Sequence, residues 1–256
     1  MITDTIEPVS PAAPQRCNLL LHCGSHAVSR CDLAQIKTPR ATSTWRPIPH
    51  IRLLQVVERA LLEQGFTVTG QAHGLTHDNA RYFGLIEVDA PVSGLEYTYV
   101  VGVRNSHDQR FSAGVVAGSQ VLVCDNLSFS GEIQLARKHT PRILQDLPGL
   151  AREAVSGLKH HWDKHDRRVD YYRRITLQDR TAHDLIVRAV DAGVMANSSI
   201  PKVLQEWRQP RHAAFKPRTA WSLQNAFTEA LKGNLNLLPT RTHRLHQLLD
   251  TALGLN

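Results

Sequence analysis

The chain has 256 residues, 42% hydrophobic and 21% charged, with a formal net charge of +7. A chain of this length buries a sizeable core without help from disulfides or metal. It contains no stretch of about 18 apolar residues, which argues against a membrane span. The opening MITDTIEPVSPAAPQ is polar, acidic and Pro-rich, unlike a secretory signal, so a cytoplasmic protein with reduced thiols is expected.

The charge is unevenly placed. Gly131–Ala220 holds 17 Lys+Arg against 10 Asp+Glu, and the rest of the chain is neutral. A localised basic excess is an electrostatic footprint for a polyanion.

In chain order, residues 1–16 carry three prolines and no apolar period, and read as a disordered arm. Cys17, His22, Cys23, His26 and Cys31 crowd together, but only Cys23-Gly-Ser-His26 has zinc-ligand spacing, with no second pair. A short strand at Leu19–His22 is the simpler reading. Thr38–Pro49 is an extended Pro-rich linker pinned by Trp45, and His50–Gln64 is an amphipathic helix stopped by Gly65. A strand at Phe66–Thr69 precedes a loop at His73–Asn79. Further strands are expected at Tyr82–Val88, Leu95–Arg104, Phe111–Ala117 and Gln120–Cys124, with turns at Pro91–Gly94, Asn105–Arg110 and Gly118-Ser119.

Beyond Phe129 the pattern turns helical. Thr140-Pro141 is an N-cap signal. Pro148-Gly149 reads as an interruption and Leu150–Ile175 as one long charged helix. Thr176–Ala192 is a helix with Thr176 as cap. Helices follow at Ser199–Trp207, Thr219–Lys232 and Thr240–Leu253. The fold class expected is therefore α+β. A helix packs on an antiparallel sheet of about five strands (17–139), and a basic, mostly helical unit (140–256) packs against the first.

Three constellations carry chemistry. In the first, His107 as base, Asp108 as orienter and Cys124 as nucleophile would make a hydrolytic site. Turn chemistry for Asn105 and Asp108, and a structural thiol for Cys124, is the plainer account. In the second, His161 and His165 share a helical face at chelating spacing, but Trp162 stands where a metalloprotease places Glu, so a solvated face without metal is expected. In the third, basic residues interleave with aromatics around Tyr171, Tyr172, Trp207 and Phe215. Arg137, Lys138, Arg142, Arg167, Arg168, Arg173 and Arg174 are the candidate phosphate contacts. Arg104, Asn105, His107 and Asn126 form a secondary polar site. No phosphate-binding glycine loop or dinucleotide fingerprint is present, so no cofactor is expected.

The segments WRPIPH, RYFGL, VGVRNSHDQRFSAG, VLVCDNLSFSGE, LARKHT and TAWSLQNAFTE resemble the phage/plasmid-like family, a bacterial and phage domain of unknown function, over roughly residues 18–250. The resemblance implies a mobile-element setting and a cytoplasmic protein, and no particular activity. At fold level the layout is also similar to that of single-strand annealing proteins. Together these readings point to a non-enzymatic nucleic-acid-binding protein that prefers single-stranded DNA or RNA, or anneals it, away from membranes. A hydrolase at Asn105–Asp108, or a protein-interaction module of counter-defence type, is the alternative. A homo-oligomer is left open.

Overall fold

The computed structural model describes residues 19, 25–89, 96–233 and 237–255, with the backbone alone over 131–137. A six-stranded antiparallel sheet is formed by β1 (His26–Val28), β2 (Val68–Thr76), β3 (Arg81–Val88), β4 (Tyr97–Ser106), β5 (Ala113–Val121) and β6 (Leu127–Arg137), lying side by side in chain order. Helices α1 (Arg30–Gln35) and α2 (His50–Glu63) come between β1 and β2. After β6 follow α3 (Ile143–Ser156), α4 (Leu158–Arg174), α5 (Asp179–Asp191), α6 (Ile200–Arg208), α7 (Ala220–Leu231) and α8 (Leu238–Leu253).

The expected layering of one helix on about five strands is corrected. The sheet has six strands, and α2 packs against α3 as well as against the sheet at β2 and β4. The C-terminal helices supply much of the cover: α8 and α3 line β6, and α4 reaches β5. The expected arm at 1–16, most of Leu19–His22 and the turn at Pro91–Gly94 lie outside the described residues.

Strand limits shift for local reasons. β2 continues to Thr76, so the loop shrinks to His77–Ala80, in which His77, Asp78 and Asn79 are at positive φ. His, Asp and Asn are among the residues that tolerate this conformation best. Gly118-Ser119 is not a turn but the middle of β5. A Cβ at Gly118 would sit 2.5 Å from the Phe129 ring of β6, and one at Gly102 2.9 Å from the same ring. Both glycines therefore serve the close approach of that aromatic rather than chain reversal. The turn falls at Leu122–Cys124, where Leu122 and Val123 are exposed instead of completing a buried strand, and Asp125 takes the positive φ. β6 itself was not expected, because its Ser and Gly residues dilute the strand pattern.

Helix limits shift too. α3 runs through Pro148, and the break before α4 falls at Gly157. Thr176 does not cap α5; it bridges Thr219, and Asp179 accepts hydrogen bonds from Trp207 Nε1 (2.9 Å) and Arg218 (3.2 Å). Thr219 does cap α7, accepting from the Ser222 N–H at 3.3 Å. α7 is buried almost all round, including Ser222, Gln224, Asn225, Thr228 and Glu229. It is the central helix of the C-terminal half rather than a surface amphipath.

Candidate functional site

Side chains two apart on a strand share a face. β4 thus carries Asn105 towards the same side as Tyr97 and Tyr99, and His107 continues the row. The Ile48 carbonyl accepts from both Asn105 Nδ2 (2.7 Å) and His107 Nε2 (2.8 Å). Asn105 Nδ2 also donates to His50 Nδ1 at 2.9 Å, so His50 carries its proton on Nε2 and donates it to the Asn79 carbonyl at 3.1 Å. The His50 and His107 rings stack with centroids 3.8 Å apart and planes 8° from parallel. His139 lies parallel to the half-buried Trp45, offset, with centroids 6.0 Å apart. Both His139 nitrogens are closed to solvent and meet no hydrogen-bond partner among the described residues.

These rings are neutral at pH 7. Burial drives His50 down to about 3, helped by His107 and His139. It takes His139 down to about 4, and lowers His107 although Ile48 and Asp108 oppose it. Asp108 is not the orienter of His107. Its carboxylate accepts from Ser106 Oγ (2.5 Å), Arg81 Nε (2.7 Å) and the Arg110 N–H (3.2 Å). Burial raises its affinity for a proton, and these three donors outweigh that and hold it below the usual carboxylate range.

Cys124 and Asn126 sit at the opposite end of the sheet. Tyr97 pairs with Val121 at one end of β4, and Arg104 with Gly114 at the other. A strand of this length spans about 30 Å, so His107 and Cys124 do not meet. The Cys124 thiol is buried and pushed up to about 11, chiefly by that burial, which leaves it protonated. Asn126 donates to the Asn225 carbonyl (3.2 Å) and Oδ1 (3.3 Å) of α7. Arg104 points to the other face of β4 from Asn105. The four residues expected to form one secondary site therefore divide into three places, and only Asn105 and His107 come together.

The basic candidates divide as well. Lys138, Arg142, Arg167 and Arg174 are exposed. Arg137 pairs through its backbone with Ala113, and its side chain lies outside the described set. Arg168 is buried and grips Asp250 through Nε (3.0 Å) and Nη2 (2.8 Å), while Tyr172 donates to the same carboxylate at 2.6 Å. Arg173 bridges Glu96 at 3.0 Å and lies 5.7 Å from the Trp221 ring centre. On α4, Leu158, Trp162, His165, Val169 and Tyr172 face inward. His165 is therefore a core residue, packed edge-on to Tyr97 at 5.1 Å, rather than part of a solvated face. Cys17, His22 and Cys23 fall outside the described residues, and no metal-holding group of His, Cys, Asp or Glu occurs among those described.

Sequence reasoning missed two clusters. Asp166 accepts from Tyr97 Oη (2.6 Å) and Tyr99 Oη (2.5 Å), tying α4 to β4. Ser128 Oγ lies 3.1 Å from His246 Nε2, and Gln224 Nε2 lies 3.3 Å from the same nitrogen, joining β6, α7 and α8. The signal for the first was available: Asp166 follows Trp162 by four residues, next to the inward stripe of α4, and the two tyrosines share a strand face.

No curated protein and no solved structure matches the chain. Residues 40–252 match the family model described as "Domain of unknown function (DUF932)". The match spans most of the sequence, from the Pro-rich segment ahead of His50 through most of α8, and so takes in both the histidine stack and α4. The chain belongs to the DUF932 family.

Proposed function

We propose that this protein binds single-stranded nucleic acid without turning it over, in the cytoplasmic setting of a phage or plasmid. The observation that carries the reading is the outer side of α4. Lys159, Lys164, Arg167 and Arg174 are exposed there and have no ion-pair partner among the described residues, whereas the inward Arg168 is held by Asp250. Asp163 and Asp170 share the outer side, leaving it net positive. Unpaired cations spaced along one helix suit a phosphate backbone and carry no base-reading geometry. Among residues with described side chains, the phosphate-contacting set becomes Lys138, Arg142, Lys159, Lys164, Arg167 and Arg174. Arg168 and Arg173 leave it, because contacting phosphate would require each to abandon a carboxylate. Annealing of complementary strands is the sharper form of the same activity.

The hydrolytic alternative loses its geometry: His107, Asp108 and Cys124 do not converge, and the thiol is held protonated. The test is fluorescence anisotropy on labelled single-stranded and duplex oligonucleotides across a salt series. Affinity should fall with a log–log slope of about 0.7 per neutralised phosphate on single strands. The pair Arg167→Glu/Arg174→Glu should weaken binding by about tenfold or more at low salt and flatten that slope. Absence of binding at low salt, or an unchanged double variant, overturns the reading.

A further inference from the structure

Trp162, Trp207 and Trp221 are buried. Trp45, on the Pro-rich segment ahead of α2, is the one tryptophan that is only half-buried. The chain fixes it on both sides. The Thr42 N–H donates to the Trp45 carbonyl at 2.8 Å, and the Trp45 N–H donates to Thr42 Oγ1 at 3.1 Å, closing a turn that ends at the indole. The next residue ties this turn to the body of the protein, where the Arg46 N–H donates to the His139 carbonyl at 3.0 Å. The His139 ring lies within 3° of parallel to the indole. His139 is buried, so it backs the indole from the inside, and the part of the indole left in solvent faces away from the protein.

The surroundings are basic. Lys138 directly precedes His139, just past the end of β6, where Arg137 pairs with Ala113. Arg46 follows Trp45, and Arg142 directly precedes α3. All three are exposed and make no ion pair among the described residues. The acidic residue closest to them in sequence, Asp146, lies in the first turn of α3. A fixed aromatic ring among such cations has the composition of a single-strand platform, in which cations meet the phosphates and a base covers the ring. A core tryptophan needs no cations around it, and a purely electrostatic surface needs no indole in solvent.

We propose that Trp45, backed by His139, is a base-stacking subsite for single-stranded nucleic acid, with Arg46, Lys138 and Arg142 holding the phosphates around the stacked base. The proposal rests on the nucleic-acid reading above. It adds recognition of unpaired bases, which the outer side of α4 does not supply. A base inside a duplex is already covered by its neighbours, so the subsite selects single strands. Every base has a π-face, so it carries no sequence preference of its own.

The experiment compares an oligothymidylate with an abasic oligonucleotide of the same length, which keeps the phosphates and lacks the bases. Anisotropy and intrinsic fluorescence are read on the full chain. A base laid on Trp45 should quench the indole fluorescence, and the abasic strand should not. The oligothymidylate should bind about fivefold or more tightly than the abasic strand. Trp45→Leu should lower oligothymidylate binding to the level of the abasic strand. Trp45→Phe should lose the quenching and keep part of the preference, because a ring remains, and it tests the subsite even if Trp45→Leu does not fold. Arg167→Glu/Arg174→Glu should weaken both strands alike and preserve their ratio, which separates this subsite from the α4 surface. The proposal is overturned, with the nucleic-acid reading left standing, if the wild type binds both strands equally well, if the fluorescence is not quenched, or if a folded Trp45→Leu keeps the preference for bases. It falls together with that reading if neither strand binds at low salt.

Discussion

Two buried polar regions of this molecule are satisfied in different ways. At the end of the sheet, His50, His107 and Asn105 are neutral and lean on main-chain carbonyls of Ile48 and Asn79. Along α4, Arg168 and Tyr172 lean on the carboxylate of Asp250 in the seam with α8, and Tyr97 and Tyr99 of β4 lean on that of Asp166. In the first region the carboxylate that acts on His107, that of Asp108, is engaged by Ser106, Arg81 and Arg110. The second has permanent charge, and burial, helped by Arg168, holds the neighbouring His165 and His246 in their neutral forms. A neutral hydrogen-bonded stack is stable as long as nothing ionises it, while an ion pair is stable as long as neither partner is removed. Both regions hold buried neutral histidines and both should respond to acid, but only the second also depends on a buried ion pair.

Acid should have the largest effect. Burial lowers His50 to about 3 and His73 and His139 to about 4, from the ordinary value of 6.5. Above pH 6.5 neither the folded nor the unfolded chain protonates these rings, and the full stability is present. Below 6.5 the unfolded chain takes up protons that the folded chain refuses, so stability falls steadily down to about pH 4. Each ring accounts for about 2 kcal/mol of loss at pH 5. Three such rings together approach the whole stability of an ordinary domain. Circular dichroism against pH should show cooperative unfolding between about pH 6 and 4, beginning above the range in which carboxylates titrate. Retention of the native spectrum at pH 4 would show that these histidines are not held neutral.

The seam should also fail by substitution. Asp250→Ala leaves a buried guanidinium without its anion and Tyr172 without its acceptor. Breaking such a pair costs about 3–5 kcal/mol. Chemical denaturation at pH 7.5, where the histidines contribute nothing, isolates this effect. A loss below about 1 kcal/mol would mean that Arg168 finds water when Asp250 is gone, as a surface pair would allow.

The contrast also explains what could be read in advance. The strands β3 and β4, α2 and the C-terminal helices α6 and α8 follow from apolar period and caps, because those signals are local. β6 and the true β5–β6 turn do not, since Gly118 reads as a turn until Phe129 is known to lie against it. Asn105 and His107 are legible as a pair, being two apart on one strand. Their acceptor, the Ile48 carbonyl, is not, because it lies more than fifty residues away. Arg168 and Arg167 are adjacent in the basic run, and only the helical phase decides that one is core and the other surface. That phase was available from Trp162, Val169 and Tyr172, and overlooking it placed Arg168 among the phosphate contacts.

The smallest expected effect tests the stack from inside. His139 differs from its neighbours in that neither ring nitrogen meets a partner. One of those nitrogens carries a hydrogen in either neutral tautomer, so a donor and an acceptor are both buried unsatisfied, at a cost of order 1–3 kcal/mol. His139→Phe keeps a flat ring against Trp45 and removes both groups. It should leave stability at pH 7.5 unchanged or raise it by about 1 kcal/mol. It should also remove close to one proton from the acid transition, since the unfolded variant has one fewer ring to protonate. His107→Phe is the matched control: it removes a ring that does bond Ile48, and should lower stability. If both substitutions are equally harmful, the two rings are packed alike and the distinction between bonded and unbonded histidines has no energetic content. If His139→Phe alone is harmful, an acceptor or donor for His139 exists in solution, and the sheet end is a polar site open to exchange with solvent.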